Sequence, residues 1–396
     1  MFLSTSSRQV TVFVGCGFAA KYRLGGGNFS VPLQWTLGLK RLGIEPVWLE
    51  LMPATKDPAA DQACIRAFQR RLAQHGLARN YCLLYHNPPE DRHDLEKMTC
   101  HGLSLRELER RLAGPNILLN ISYTFHPPFL MRFERRVYCD IDPGEITYWM
   151  ARLEMGQSYH HDFWTIGLNK NAPDCGLPSI QGVKWKTFFP LVDTTLNQPR
   201  PRPRSPRFTT VGQWYWTQGI EVNGEYPDLS KQHFFSPYMT LPSRAPEARM
   251  EMAMNLNPDD PEIERIRSFG WWVVPPHRVV ASPALYRRYI GGSLAEFTTC
   301  KGVDCLWRTG WVSDRAATYL ATGRPVVTED TGIRRYLPDE SGMLFFSNPD
   351  EAADAVRRVM RDWDRLSKAA RSCAAECFDA AKNLRRILAD QGLGKG

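Results

Sequence analysis

Ser313, Asp314 and Arg315 open the stretch SDRAATYLATGRPVVTEDTG, which ends on Glu329-Asp330-Thr331-Gly332. Ser and Asp favour helix N-caps and Gly323 a helix stop, so a helix is expected over 313–322, followed by a buried strand over 325–328. A helix N-terminus presents unbonded N–H groups and positive potential, which suits an anion. A diphosphate there would meet the Ser313 hydroxyl, with Arg315 flanking it and Lys301 on the preceding turn. Asp314 stands beside Ser313 at the helix start, and Asp330, Thr331 and Gly332 after the next strand would form a polar rim around the anion. Ser-Asp before a helix is also simply a good cap, and that reading stays open.

Three other groups could meet a ligand. Residues 17–30, GFAAKYRLGGGNFS, form a long loop that ends in three glycines, so the amides of Gly25, Gly26, Gly27 and Asn28 could face a bulky ligand above a sheet. In VGQWYWTQG, residues 211–219, Trp214 and Trp216 share a side if the strand continues, so one could stack on a base; a core or cleft-wall role is equally open. In YHHDFW, residues 159–164, His160 and His161 beside Asp162 could make a base with an orienting carboxylate. A His-His-Asp metal site there lacks a further ligand at helical spacing, and no metal is expected.

The elements that must position these groups alternate. Strand-length apolar runs at 10–16, 45–51, 81–85, 116–121 and 137–141 are interleaved with helical patterns at 29–42, 59–75 and 103–112. TTLNQPRPRPRSPR, residues 194–207, breaks the pattern and reads as a semi-rigid linker. Alternation then restarts: strands at 208–213, 271–274, 294–297 and 343–346, helices at 260–269 and 283–290, and a largely helical 350–388 interrupted near 362–366. The expected fold class is α/β, two Rossmann-like doubly wound domains facing across a cleft: 1–193, then 208–362, with a helical segment 363–396 that could cross back to the first.

The totals agree with that size. A chain of 396 residues exceeds one ordinary core, and no run of about 18 apolar residues could span a bilayer. Met1–Gln9 is short and polar, and the apolar run after it is too short for a secretory signal. Ten cysteines without a Cys-x-x-Cys pair, including Cys16, Cys82 and Cys139 inside expected elements, read as buried free thiols in a reducing cytoplasm. The net charge of +8 favours an anionic ligand, an anionic membrane face or nucleic acid, but mildly. The linker arginines have no interleaved aromatics, so the nucleic-acid signal is weak, while peripheral membrane contact and oligomeric state stay open.

The span RTGWVSDRAATYLATGRPVVTEDTG, residues 308–332, resembles the donor-site segment of GT-B-fold glycosyltransferases. LAEFTTCKG (294–302) resembles the strand and turn just upstream, and GGGNFSVPLQWTLGLKRLGIEPVWLE (25–50) the first βαβ of the acceptor domain. HDFWTIGLNKNAPDCGLP (161–178) is similar to a segment of bacterial members. The resemblance implies transfer of a sugar from a nucleotide diphosphate sugar, a co-substrate rather than a cofactor, to an unidentified acceptor, small molecule or glycan, without an obligatory metal. Inversion at the anomeric carbon would need a base, for which His126, Asp142, His160 and His161 qualify in no fixed order; retention would need no dedicated base. Asp-Ile-Asp at 140–142 matches the metal-chelating D-x-D of GT-A enzymes, whose fold pattern is not the one here. The family's usual Glu five residues before Gly323 is Thr318 in this chain, and Asp314 is the nearest acid. Rival readings are a degenerate partner subunit and a nicotinamide-dependent oxidoreductase, the latter without the G-x-G-x-x-G fingerprint.

Overall fold

The computed structural model describes residues 10–88, 93–216 and 219–393, so the expectation for Met1–Gln9 and the last part of the 211–219 aromatic stretch, Thr217 and Gln218, fall outside them. The first sheet contains β1 (Thr11–Cys16), β2 (Pro46–Pro53), β3 (Tyr81–His86), β4 (Thr99–Gly102), β5 (Asn116–Ile121), β6 (Arg135–Asp140), β7 (Asp162–Thr165) and β8 (Trp185–Thr187). Their order is β4-β3-β2-β1-β5-β6-β7-β8, with only the β3–β4 pair antiparallel. The central runs TVFVGC and NILLNI are buried along nearly their whole length, as strands covered on both faces must be.

The second sheet has β9 (Arg207–Gln213), β10 (Arg249–Asn255), β11 (Trp272–Val273), β12 (Ala295–Phe297), β13 (Val326–Glu329) and β14 (Met343–Phe346). It is parallel throughout, in the order β11-β10-β9-β12-β13-β14. Strand order therefore reverses between β1 and β5 in one sheet and between β9 and β12 in the other, where crevices for ligands open beyond the carboxyl ends. The mixed α/β architecture with two parallel-sheet bodies is the expected one. Strand β10 and the Pro143–Met150 helix carried no strand or helix expectation.

Residues between the sheets are fastened rather than loose. The Arg200 amide donates to the Thr322 carbonyl at 3.2 Å, and Arg324 Nη2 to the Pro201 carbonyl at 2.8 Å. The Pro349–Arg361 and Trp363–Cys373 helices are followed by a π-helical turn, Ala374–Phe378. The last helix, Ala380–Ala389, then packs Ala380, Leu384 and Ile387 into the core of the first body. Gly38 makes this approach close, since a Cβ there would lie 2.7 Å from Leu384. Arg41 Nη1 seals the junction on Asp379 at 2.8 Å.

One buried acid shapes the loop above β1. Glu50 accepts from the amides of Ala19 and Ala20 and from Trp48 Nε1 and Cys16 Sγ, all within 2.8–2.9 Å. Glu50→Ala would strand these donors in a fully buried position, each unsatisfied group costing about 1–3 kcal/mol. We expect a loss of at least about 3 kcal/mol in urea denaturation; unchanged stability would mean that the carboxylate does not hold the loop.

Candidate functional site

At the carboxyl end of β12 the chain runs Thr298, Thr299, Cys300, Lys301, and beside it β13 ends at Glu329. Above them the Asp314–Ala321 helix starts at Ser313, whose Oγ accepts the Ala316 amide at 3.0 Å. A pocket opens here between Thr298, Cys300, Trp311, Ser313, Ala316 and Glu329. Lys231 enters from the Lys231–Phe235 helix, with Nζ donating to the Thr299 carbonyl at 2.7 Å and Thr298 Oγ1 at 3.1 Å. Burial, with Arg315 nearby, depresses its pKa to about 8. This cation was missed in the sequence, because it follows a long irregular segment and only Ser230, a helix cap, marks its position.

Lys301 faces the opposite body. Its Nζ bonds the Asp142 carboxylate beyond the end of β6, and the rings of Trp216 and Trp311 flank it at 5.7 and 5.5 Å. Burial works against its charge, yet Asp142 and Asp304 hold its pKa above the ordinary value. Asp304 Oδ1 accepts from Thr309 Oγ1 at 2.8 Å and from the Gly144 amide of the first body at 3.2 Å. Asp314 lies in the same field: burial and then Asp142 push its pKa up to about 7. Asp140 is turned into its sheet, accepting Thr165 Oγ1 at 2.7 Å and the Asp142 amide at 2.8 Å, and burial raises it to about 7. Asp140 and Asp142 thus have different side-chain partners.

These acids predict a pH dependence. Their folded pKa values lie above the unfolded value of about 3.9, so the folded state binds more protons. The stability that Asp140 and Asp314 confer is complete below about pH 4 and is lost as pH rises through 7. The buried His160, lowered to about 4, works oppositely only below about 6.5, and Lys231 and Lys170, lowered to about 8, only above about 8. Tm should therefore fall between about pH 6.5 and 7.5, and Asp314→Asn should flatten the fall. A Tm rising across this window in the unliganded protein would contradict the assignment.

A strap after β7 ties the bodies together. The Asn169 amide donates to the Thr309 carbonyl at 3.0 Å, its Nδ2 to the Arg308 carbonyl at 2.7 Å, and Tyr336 OH to its Oδ1 at 3.1 Å. Arg335 and Arg308 converge on Asp174, and these hydrogen bonds hold its pKa down at about 2. Gly310, with φ of 75°, is required where a Cβ would come 2.4 Å from the Asn169 nitrogen.

Several expected site residues have partners within the chain. The Arg315 guanidinium is held by Glu296, the Val211 carbonyl and, at 3.1 Å, Thr298 Oγ1, the pocket-wall hydroxyl that Lys231 also meets. Trp214 is fully buried and donates from Nε1 to Glu262 at 3.1 Å, because β9 ends at Gln213 and the side-alternation stops there; Trp216 is the one beside Lys301. Asp330 accepts the Gly332 amide at 2.9 Å, Thr331 is buried with its Oγ1 donating to the Trp311 carbonyl at 2.6 Å, and Gly332 packs on Asn169, so this turn braces the strap. The Gly25 and Gly26 amides donate to the Tyr22 and Val280 carbonyls, which leaves Gly27 and Asn28 in the first turn of the Gly26–Arg41 helix.

The histidines separate as well. His161 pairs with Arg136 at the amino end of β7, on the far side of the sheet from the cleft. His160 Nδ1 donates to the Gly156 carbonyl at 2.7 Å and Nε2 accepts Asn120 Nδ2 at 3.1 Å; with burial lowering its pKa to about 4 it is neutral, with both nitrogens engaged. His126 stays at the carboxyl end of β5, stacked on Tyr123 at 4.0 Å and on His93 at 5.1 Å, with Nε2 bonded to the Tyr123 carbonyl. The structure thus brings Asp142, Lys301 and Asp314 together beside Ser313, while His126 stays with Tyr123 and His93. No helix among the described residues is long and apolar enough to cross a membrane.

No protein-family model and no curated protein matches the chain. Solved structures match along nearly its whole length. Anabaena HepE in complex with UDP and glucose aligns over 98% of this chain and 100% of its own, at TM-score 0.54 and 12% identity. Sucrose-phosphate synthase from Thermosynechococcus elongatus aligns over 97% and 99%, at TM-score 0.56 and 9% identity. An alpha-glucosyltransferase in complex with UDP and a 13-mer DNA aligns over 96% and 99%, at TM-score 0.54 and 10% identity.

Proposed function

We propose that this chain, which has the GT-B fold, transfers a glycosyl group from a nucleoside diphosphate sugar to an acceptor held by the first body. The observation that carries the reading is a pocket at the carboxyl ends of β12 and β13 lined by the Ser313 helix N-terminus, with Lys231 bonded to the Thr298 hydroxyl of its wall and Lys301 following its Cys300 in the chain. A leaving diphosphate develops negative charge, and preoriented N–H groups and ammonium groups stabilise it as it forms. On this reading they take the place of a magnesium or manganese ion at the leaving group. Asp314 replaces the acid that Thr318 cannot supply: Thr318 is buried, with its hydroxyl on the Asp314 carbonyl at 3.1 Å.

Asp142 and Lys301 link donor binding to the acceptor side. Without donor, Lys301 neutralises Asp142 across the cleft. A phosphate that attracts Lys301 loosens this bond and leaves the Asp142 carboxylate facing the acceptor, where inversion would use it, or His126, as base and retention would use neither as an obligatory one. The acceptor would rest against Gly27, Asn28 and the Tyr123–His126 stack.

A panel of UDP-, GDP-, dTDP- and ADP-sugars without added magnesium or manganese tests the reading through nucleoside diphosphate release. UDP-sugars come first, because UDP is bound in two of the matching structures, HepE and the alpha-glucosyltransferase. Turnover with at least one donor is expected. No release from any, with binding intact, would favour a non-catalytic subunit, and turnover of a nicotinamide cofactor would favour the oxidoreductase.

A further inference from the structure

We propose that Cys300, Cys305 and Glu329 bind one thiophilic divalent cation of the zinc class at the floor of the pocket. Their ligand atoms all lie within 4.8 Å of one another, and Cys305 Sγ is 3.5 Å from Glu329 Oε2. The topology builds the cluster: Cys300 follows β12, the short Gly302–Leu306 helix turns the chain so that Cys305 comes back beside it, and Glu329 ends the neighbouring β13. Two sulfurs and one carboxylate form a soft, three-ligand set that suits zinc and not magnesium, which takes oxygen ligands in octahedral geometry.

The carboxylate is already aimed. The Cys300 amide donates to Glu329 Oε2 at 2.9 Å and Tyr238 OH to Oε1 at 3.4 Å, the kind of outer hydrogen bonds that orient a metal ligand. Binding converts both thiols to thiolates, so two protons leave for each cation bound and no oxidant is involved. Cys300 and Glu329 also line the pocket, which places the fourth coordination position on the pocket side, for water or an oxygen of a bound anion. Elsewhere, the close thiols Cys82 with Cys100 and Cys373 with Cys377 lack a third converging ligand among the described residues, and they serve as internal controls.

The proposal does not rest on the sugar-transfer reading, because metal content is measured directly. Full-length protein, reduced and stripped of metal, is incubated with zinc chloride, desalted and assayed by mass spectrometry; a parallel sample is loaded with cobalt chloride. About one zinc per chain is expected, and cobalt should give thiolate-to-metal charge transfer and tetrahedral d–d bands. Cys305→Ala and, separately, Glu329→Gln should weaken retention at least about tenfold, while Cys82→Ala should not. Glu329→Gln keeps the shape of the side chain and covers the case in which Cys305→Ala fails to fold. Zinc far below one per chain, or one zinc kept by both variants, would overturn the site.

Discussion

Replacing Lys231 and Lys301 together with alanine should weaken nucleoside diphosphate binding by at least about a hundredfold. Charge-assisted hydrogen bonds are each worth about 1.5–3 kcal/mol, and two lost contacts sum to more than the 2.7 kcal/mol, roughly, of a hundredfold change. Part of this is offset, because Lys301 must leave Asp142 before it can meet a phosphate. Both side chains are half-buried and bonded to polar groups, so the variant should fold. Calorimetry at low ionic strength, where these charges are least screened, checks it. Unchanged affinity in the double variant would remove the two lysines from the donor site.

Arg315→Ala should act on the fold instead. Its guanidinium is the partner of Glu296, whose side chain is fully buried on β12, and removing one member of such a pair costs about 3–5 kcal/mol. A strong fall in Tm is expected, with nucleotide affinity in the remaining folded protein reduced less than by the lysine substitutions. Wild-type Tm together with lost nucleotide binding would restore Arg315 to the phosphate.

That exchange of roles shows what the sequence could carry. The βα alternation was legible because the central strands are apolar along both faces and the helix caps are strong, as at Ser313. Strand β10, RMEMAMN, was not, because methionine is a weak strand signal and charged residues alternate with it. Its Glu251 is buried and held by Arg207 at 3.1 Å and Arg249 at 3.3 Å, pairings that no local pattern announces.

The site divides in the same way. Ser313, Lys301 and Asp142 sit at element ends, and local rules place such residues near a cleft. Whether a cation there is available depends on partners distant in the chain: Arg315, on its helix, has the Glu296 carboxylate of β12 besides hydroxyl and carbonyl oxygens, while Lys231 has hydroxyl and carbonyl oxygens alone. Trp214 and Trp216 needed the exact end of β9, and element ends are the least regular part of any such pattern. The Cys300–Cys305 spacing has no Cys-x-x-Cys signature, and its third member, Glu329, joins only through strand order.

Titration calorimetry of the wild-type protein with UDP, GDP, dTDP and ADP, and with NAD as the comparison, tests the central claim that the pocket takes a nucleoside diphosphate. The account predicts one site per chain for at least one of the four, with affinity in the range of about 1 μM to 1 mM common for enzyme substrates, and no heat from NAD. Binding of NAD alone, or of none of the five at millimolar concentration, would contradict it.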